Sequence, residues 1–132
     1  MKERTEVCYD QNGDLLEVFI GEPMRGYCEE MANGIYIRKE EKSGRIIGFM
    51  VFAFRRRLEK NINLSYNKTK DILEISIGKQ TESYNEELSA GVFTHLDKKT
   101  KKLKGFTIVD FKKRLIKLNF HDIPVEEPPL IL

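Results

Sequence analysis

The feature that most constrains this chain is an internal duplication. Residues 9–58 and 66–115 align at a constant offset of 57 positions without a gap, and 16 of the 50 aligned positions are identical. Segments this similar adopt the same fold, and two copies are too few for a solenoid, which needs at least about three. We therefore expect a closed pair, in which each copy covers the apolar face of the other.

Apolar and polar residues alternate over short runs, which predicts four β-strands in each copy. The predicted strands are Thr5–Tyr9, Leu15–Ile20, Ile35–Lys39 and Ile46–Phe54 in the first copy, and Ile62–Tyr66, Ile72–Ile77, Val92–Asp97 and Leu103–Val109 in the second. The polar stretch 22–33 is predicted to be a loop. In the first copy the fourth strand is apolar on both faces, which predicts a central position, and Gly48 within it indicates a bulge or a close backbone approach.

The second strand of each copy presents one apolar face, which we expect to be buried. The residues on it are Leu16, Val18 and Ile20, with their equivalents Leu73, Ile75 and Ile77. The predicted fold is mainly β, α+β with a minor helix: two ββββ repeats with short helical turns in a pseudo-twofold antiparallel sandwich or open barrel. Repeats 5–58 and 62–115 are joined by a short linker, so residues 1–132 are expected to form a single cooperative domain.

After the second repeat the chain begins another alternating pattern and then becomes proline-rich. Residues 116–120 are predicted to form a C-terminal strand, and the prolines make the rest of the tail 116–132 extended. An added strand and an apolar end invite association with a partner or a second copy. The predicted contact residues are Ile116, Leu118, Phe120, Leu130, Ile131 and Leu132.

The turn and strand motifs of both copies resemble domain-of-unknown-function family 2283. The first copy carries Tyr9-Asp10, Asp14, Leu16, Val18, Gly34-Ile35, Gly48-Phe49 and Leu58. The second carries Tyr66-Asn67, Asp71, Leu73, Ile75, Gly91-Val92, Asp97, Gly105-Phe106-Thr107-Ile108 and Leu115. The first copy departs from the pattern at Glu40 and Ala53, and members usually carry one copy. The resemblance covers residues 5–115 and implies a small cytoplasmic β-rich protein, with an antitoxin-like binder as one form of it. It transfers no catalytic residue.

Cysteine usage and hydropathy point to a cytoplasmic protein. The only cysteines, Cys8 and Cys28, align with Ser65 and Asn85, so we expect free thiols rather than a disulfide. The start is polar and is not typical of a secretory signal. The longest apolar run, Ile46–Phe54, is far shorter than the roughly 20 residues of a membrane helix. No membrane partner is expected.

The sequence gives little support for metal, cofactor or nucleophile chemistry. His95 and His121 occupy non-equivalent positions, and neither has a Cys or His at ligand spacing. His121-Asp122 could supply two ligands, but a metal site needs three or four. There is no Gly-x-Ser-x-Gly elbow and no glycine-rich phosphate loop. We therefore assign no catalytic, metal or cofactor residue.

Acids repeated in both copies leave an enzymatic alternative open. They are Asp14/Asp71, Glu17/Glu74 and Glu29-Glu30/Glu86-Glu87. Equivalent acids can meet near a twofold axis and form a carboxylate dyad. The simpler reading places Asp14 and Asp71 in turns, where aspartate bonds its own backbone.

Basic triplets at equivalent positions provide a nucleic-acid-binding alternative. They are Arg55, Arg56 and Arg57 in the first copy and Lys112, Lys113 and Arg114 in the second. Cations on one face can bind phosphate, but they also suit a helix end or intramolecular ion pairs. The net charge of +2 does not by itself imply a polyanionic partner.

The favoured function is a non-catalytic cytoplasmic protein-interaction module, which binds an unidentified protein or a second copy of itself. The first alternative is a nucleic-acid-binding accessory protein. The second is a small enzyme that uses paired carboxylates.

Overall fold

The computed structural model describes residues 5–22 and 24–115, which contain ten strands and two short helices. The first copy contains β1 (Thr5–Asp10), β2 (Leu15–Ile20), β3 (Gly26–Ala32), β4 (Ile35–Glu40), β5 (Ile46–Phe52) and α1 (Phe54–Lys60). The second contains β6 (Leu64–Asn67), β7 (Ile72–Ser76), β8 (Ser83–Ser89), β9 (Val92–Asp97), β10 (Leu103–Val109) and α2 (Phe111–Arg114). The protein is mainly β, as predicted.

Each copy forms one antiparallel sheet, and the two sheets have the same strand order. That order is β1-β2-β5-β4-β3 in the first copy and β6-β7-β10-β9-β8 in the second. β5 and β10 are central, which confirms the prediction for the apolar fourth strand. A Cβ added to Gly48 would strike the carbonyl oxygen of Val18 on β2, which confirms the predicted close backbone approach.

The prediction of four strands in each copy is wrong, because the polar stretch 22–33 contains a fifth. This strand, β3, pairs with β4 at the sheet edge, and β8 pairs with β9 in the same way. Five of the seven β3 residues are exposed. An edge strand that meets solvent on both faces needs no apolar alternation, so its sequence resembles that of a loop.

Two predicted strand ends differ from the structure by two residues, whereas the others agree to within one residue. The fourth strand ends at Phe52 rather than Phe54, because Ala53 is left-handed with φ 57° and Phe54 begins α1. In the second copy, β6 begins at Leu64 because Asn63 has φ 65° and interrupts the extended chain before it. Asparagine tolerates this conformation better than most residues.

The two sheets pack face to face around a pseudo-twofold axis. Phe49 and its equivalent Phe106 stack with ring centroids 3.9 Å apart, and Phe54 and its equivalent Phe111 lie 5.9 Å apart. Equivalent residues touch each other only near a twofold axis. Buried residues from both sheets form one core cluster, and all six predicted inner-face residues of β2 and β7 are buried. The structure is a sandwich and not a closed barrel, because each sheet keeps two edges.

The helix at the end of each copy also contacts the first strand of the other copy. α1 packs against β6 of the second copy, and α2 packs against β1 of the first. Leu115 forms a parallel bridge to Val7, and Thr5 on β1 hydrogen-bonds Ser89 on β8. These contacts accord with one body, while cooperative unfolding stays a prediction.

In the described part of the chain, no helix combines the length and apolar character needed to cross a membrane. Cys8 and Cys28 form no disulfide, with Cys8 half-buried on β1 and Cys28 exposed on β3. The predicted C-terminal strand lies outside the described residues, and so do the six predicted contact residues of the tail 116–132.

Candidate functional site

The repeated aspartates cap the helices of the sandwich. Asp14 is left-handed with φ 52°, and its Oδ1 accepts hydrogen bonds from the Tyr9 hydroxyl and the Arg55 backbone N–H, both at 2.7 Å. Asp71 repeats this arrangement with the Tyr66 hydroxyl at 2.6 Å and the Lys112 N–H at 2.8 Å. The N–H groups at a helix start lack partners within the helix, so a carboxylate there stabilises the helix.

We expect ionisation of buried Tyr9 and half-buried Tyr66 to reduce stability above pH 10. Burial, followed by the hydrogen bond that its hydroxyl donates to Asp14, raises the pKa of Tyr9 well above its usual 10.0, and burial with the hydrogen bond to Asp71 does the same for Tyr66. The folded pKa exceeds the unfolded one, so the stability present below pH 10 is lost as pH rises toward the folded pKa. The loss is at most about 1.4 kcal/mol per pH unit for each tyrosine.

Urea unfolding at several pH values from about 9 to 11.5 measures this loss. A Tyr9→Phe/Tyr66→Phe variant should show a shallower alkaline decline, because neither phenol remains to titrate. Equal slopes in the two proteins would contradict the assignment.

The other repeated acids separate into three locations. Glu30 accepts the Gly34 N–H and Glu87 accepts the Gly91 N–H, each at 3.3 Å, so both brace hairpin turns. Glu17 and Glu74 alternate with buried residues and therefore face outward on opposite sheets, where they cannot meet.

Glu29 and Glu86 are the repeated acids that one cavity brings together. Both line an open cleft of about 730 Å³ between the two sheets, which we call the axial cleft. The Glu29 carboxylate already pairs with the Lys39 ammonium at 2.9 Å. This contact makes it a partner of a lysine rather than half of a proton-sharing carboxylate dyad.

The last residue of each basic triplet supports the fold. The Arg57 guanidinium donates to the carbonyl oxygens of Phe52, at 2.8 Å, and Asn33. The Arg114 guanidinium donates to those of Val109 and Ala90, at 2.6 and 2.7 Å. Arg57 and Arg114 therefore clamp the end of the central strand to the nearby hairpin.

The remaining triplet residues lie at one end of the molecule, because the Phe54 and Phe111 rings that begin the helices are in contact. Arg55 pairs with Glu59 at 3.5 Å, and Lys113 pairs with Asp110 at 3.8 Å. Arg56 and Lys112 are exposed. Carboxylates thus accompany one residue in each triplet, whereas a phosphate site favours cations without acidic neighbours. Phosphate binding stays a prediction.

His95 lies on the outer side of the second sheet. Its Nε2 is 2.5 Å from Thr107 Oγ1, and burial lowers the pKa of the imidazole, with the Glu74 carboxylate acting against this. Within residues 5–22 and 24–115, no three potential ligands group around a metal-sized site. His121 falls outside the described residues.

Sequence reasoning missed a surface on the outer side of the first sheet, which we call the aromatic face. It consists of Phe19 on β2, Tyr36 on β4, and Met50 and Phe52 on β5. Phe19 is 37% exposed and Phe52 is 42% exposed, and Tyr36 meets Phe52 edge-on at 5.6 Å.

The second copy lacks this surface. At the equivalent positions it has Ser76, Phe93, Thr107 and Val109. The inner-face residues of β2, together with Phe49 and Val51 on β5, all have apolar equivalents in the second copy, so on these strands the difference lies on the solvent side. A comparison of outward positions at the offset of 57 would have revealed it.

Comparison of the chain with protein-family models, with curated proteins and with solved structures found no match. The resemblance to family 2283 therefore stays an expectation from the motifs.

Proposed function

We propose that the protein is a non-catalytic interaction module that binds a protein partner through the aromatic face. The supporting observation is that the exposed rings of Phe19 and Phe52 cluster with half-buried Tyr36 and Met50 on the outer side of the first sheet. Of the four equivalent positions in the second copy, only Phe93 keeps an aromatic or thioether side chain. Contiguous apolar surface on a soluble domain is typical of an interaction site, and aromatic residues and methionine are enriched at interfaces.

The fold itself does not require these side chains. The second sheet has the same strand order with serine, threonine and valine at three of the four positions. The duplicated copy therefore serves as an internal control, which separates residues that build the sheet from residues that serve another purpose.

Two acids that border one row of the aromatic face indicate the charge of its partner. Cross-strand pairing places Glu17, Met50, Tyr36 and Glu30 in one row across four strands. The apolar centre of this row is thus flanked by a carboxylate on each side. Complementary charge favours a partner with apolar side chains bordered by lysine or arginine. A second copy of the same face would bring acids toward acids, so a different protein is favoured.

Photo-crosslinking in the source cells tests this proposal with a matched position in each copy. A photoreactive phenylalanine analogue replaces Phe52 in one variant and its equivalent Val109 in the other. We expect an adduct from position 52 alone, attached to a peptide that contains lysine or arginine beside apolar residues. Equal labelling from both positions, no adduct, or an adduct with a second copy of this chain would overturn the proposal.

Transplanting the second copy's residues onto the first provides a test without a probe. The variant Phe19→Ser/Met50→Thr/Phe52→Val should fold, since the second sheet accepts these residues at the same positions. We expect it to bind the crosslinked partner at least about tenfold more weakly, as loss of central anchor residues does. Undiminished binding by this folded variant would contradict the assignment of the face.

A further inference from the structure

The axial cleft lies on the pseudo-twofold axis, at the end of the sandwich opposite the helices. Equivalent residues from both copies line it, including Met31 with Leu88 and Ile46 with Leu103. β5 runs from Ile46 at the cleft, past the stacked Phe49, toward Phe54 at the helical end. The sheets therefore part at the start of their central strands, which leaves apolar side chains facing an open space.

The lining combines an apolar floor with a basic rim. Ile37, Leu96 and Ile77 add to the apolar floor, and the rim has Lys39 from the first copy with Lys101, Lys102 and Lys104 from the second. Four lysines face two glutamates, Glu29 and Glu86, so positive charge is in excess. Because Glu29 pairs with Lys39, this excess lies on the wall contributed by the second copy.

Three of the four rim lysines, Lys101, Lys102 and Lys104, form a basic wall that only the second copy contributes. Gly44, Arg45 and Ile47 occupy the positions equivalent to its three lysines, and Arg45 points its guanidinium toward the sulfur of Met24, 3.5 Å away. The sheets were built by duplication, yet only the second copy places three lysines at this opening. The fold therefore does not require them there.

We propose that the axial cleft binds a free amphipathic anion, an aliphatic chain with one anionic head, such as a medium-chain carboxylate. The chain would lie on the apolar floor, and the head would meet the lysines of the second copy. A volume of about 730 Å³ falls within the range of small-molecule sites, roughly 300–1,000 Å³. This site is independent of the aromatic face, which lies on the outer side of the first sheet.

Titration of the full chain with sodium decanoate, below the concentration at which it forms micelles, tests the proposal by amide NMR shifts. We expect saturable shifts centred on Leu88, Leu96 and Leu103. Decanol lacks the charge and butyrate lacks the chain, so both should bind much more weakly. Decanol binding as tightly as decanoate, or shifts centred on Phe19 and Phe52, would overturn the proposal.

Charge reversals in one hairpin supply the matched control. Lys102→Glu/Lys104→Glu should weaken decanoate binding about tenfold. Lys98→Glu/Lys99→Glu makes the same change in net charge in the neighbouring turn, outside the cleft, and should leave the affinity unchanged. Equal weakening by both pairs would show general electrostatic attraction and overturn the site.

Discussion

Replacement of Phe49 by alanine is expected to lower the free energy of unfolding by about 3–5 kcal/mol. Phe49 is fully buried in the centre of β5, and its ring stacks on that of Phe106 with an interplanar angle of 15°. Removing the ring opens a cavity where the two sheets meet, and the neighbouring aromatic ring loses its partner. Urea unfolding followed by circular dichroism measures the loss.

The pseudo-symmetry supplies a second version of the experiment. Phe106→Ala should cost a similar amount, because Phe106 is equally buried. The double variant should cost less than the sum of the single variants, because aromatic contacts typically couple by about 0.5–1.5 kcal/mol. Phe52→Ala, at an exposed position, should cost far less.

These variants also test the predicted single cooperative domain. If the sheets unfold together, both Phe49→Ala and Phe106→Ala shift one common transition. Two transitions, each moved by one substitution alone, would show that the copies fold as separate domains. A cost below about 1 kcal/mol for both would contradict the packed interface.

The inner half of the sandwich could be predicted because burial leaves a periodic signal. In β2 and β7 every second residue is apolar and lies against the opposite sheet, and the duplication allowed the pattern to be read twice. The central position of β5 was apparent because apolar residues occupy both faces of the strand, although the outer ones, Met50 and Phe52, meet solvent as part of the aromatic face.

The edges and surface could not be predicted in the same way. β3 is held by backbone pairing to β4 while its side chains meet solvent, so no periodicity marks it. The aromatic face was missed because its four residues come from three strands, and only the strand order of the finished sheet brings them together.

Local sequence patterns could not predict the long-range hydrogen bonds. The basic triplets suggested phosphate binding, but Arg57 reaches a carbonyl 24 residues away. The capping bond between Asp14 and the Arg55 N–H spans 41 residues. The identity of these residues in both copies therefore reflects a shared architectural need, which sequence comparison alone cannot separate from catalysis.

Replacement of Asp14 by alanine is expected to lower the free energy of unfolding by about 2–4 kcal/mol. The substitution removes the carboxylate that accepts hydrogen bonds from the first N–H groups of α1 and from the buried Tyr9 hydroxyl. It also places alanine at a left-handed position. Asp71→Ala should have a similar effect at α2.

Two further variants of this site distinguish a structural cap from a catalytic acid. Asp14→Asn keeps an acceptor oxygen and tolerates the left-handed backbone, so it should retain most of the stability. Tyr9→Phe should cost less in the Asp14→Ala background than in the wild-type protein, because the hydrogen bond between Tyr9 and Asp14 is then already lost. If Asn destabilises as much as Ala, the carboxylate charge rather than the capping geometry is what α1 requires. If Asp14→Ala lowers the free energy of unfolding by less than about 0.5 kcal/mol, the repeated aspartates are not structural. Paired-carboxylate chemistry would then be the better explanation for their presence in both copies.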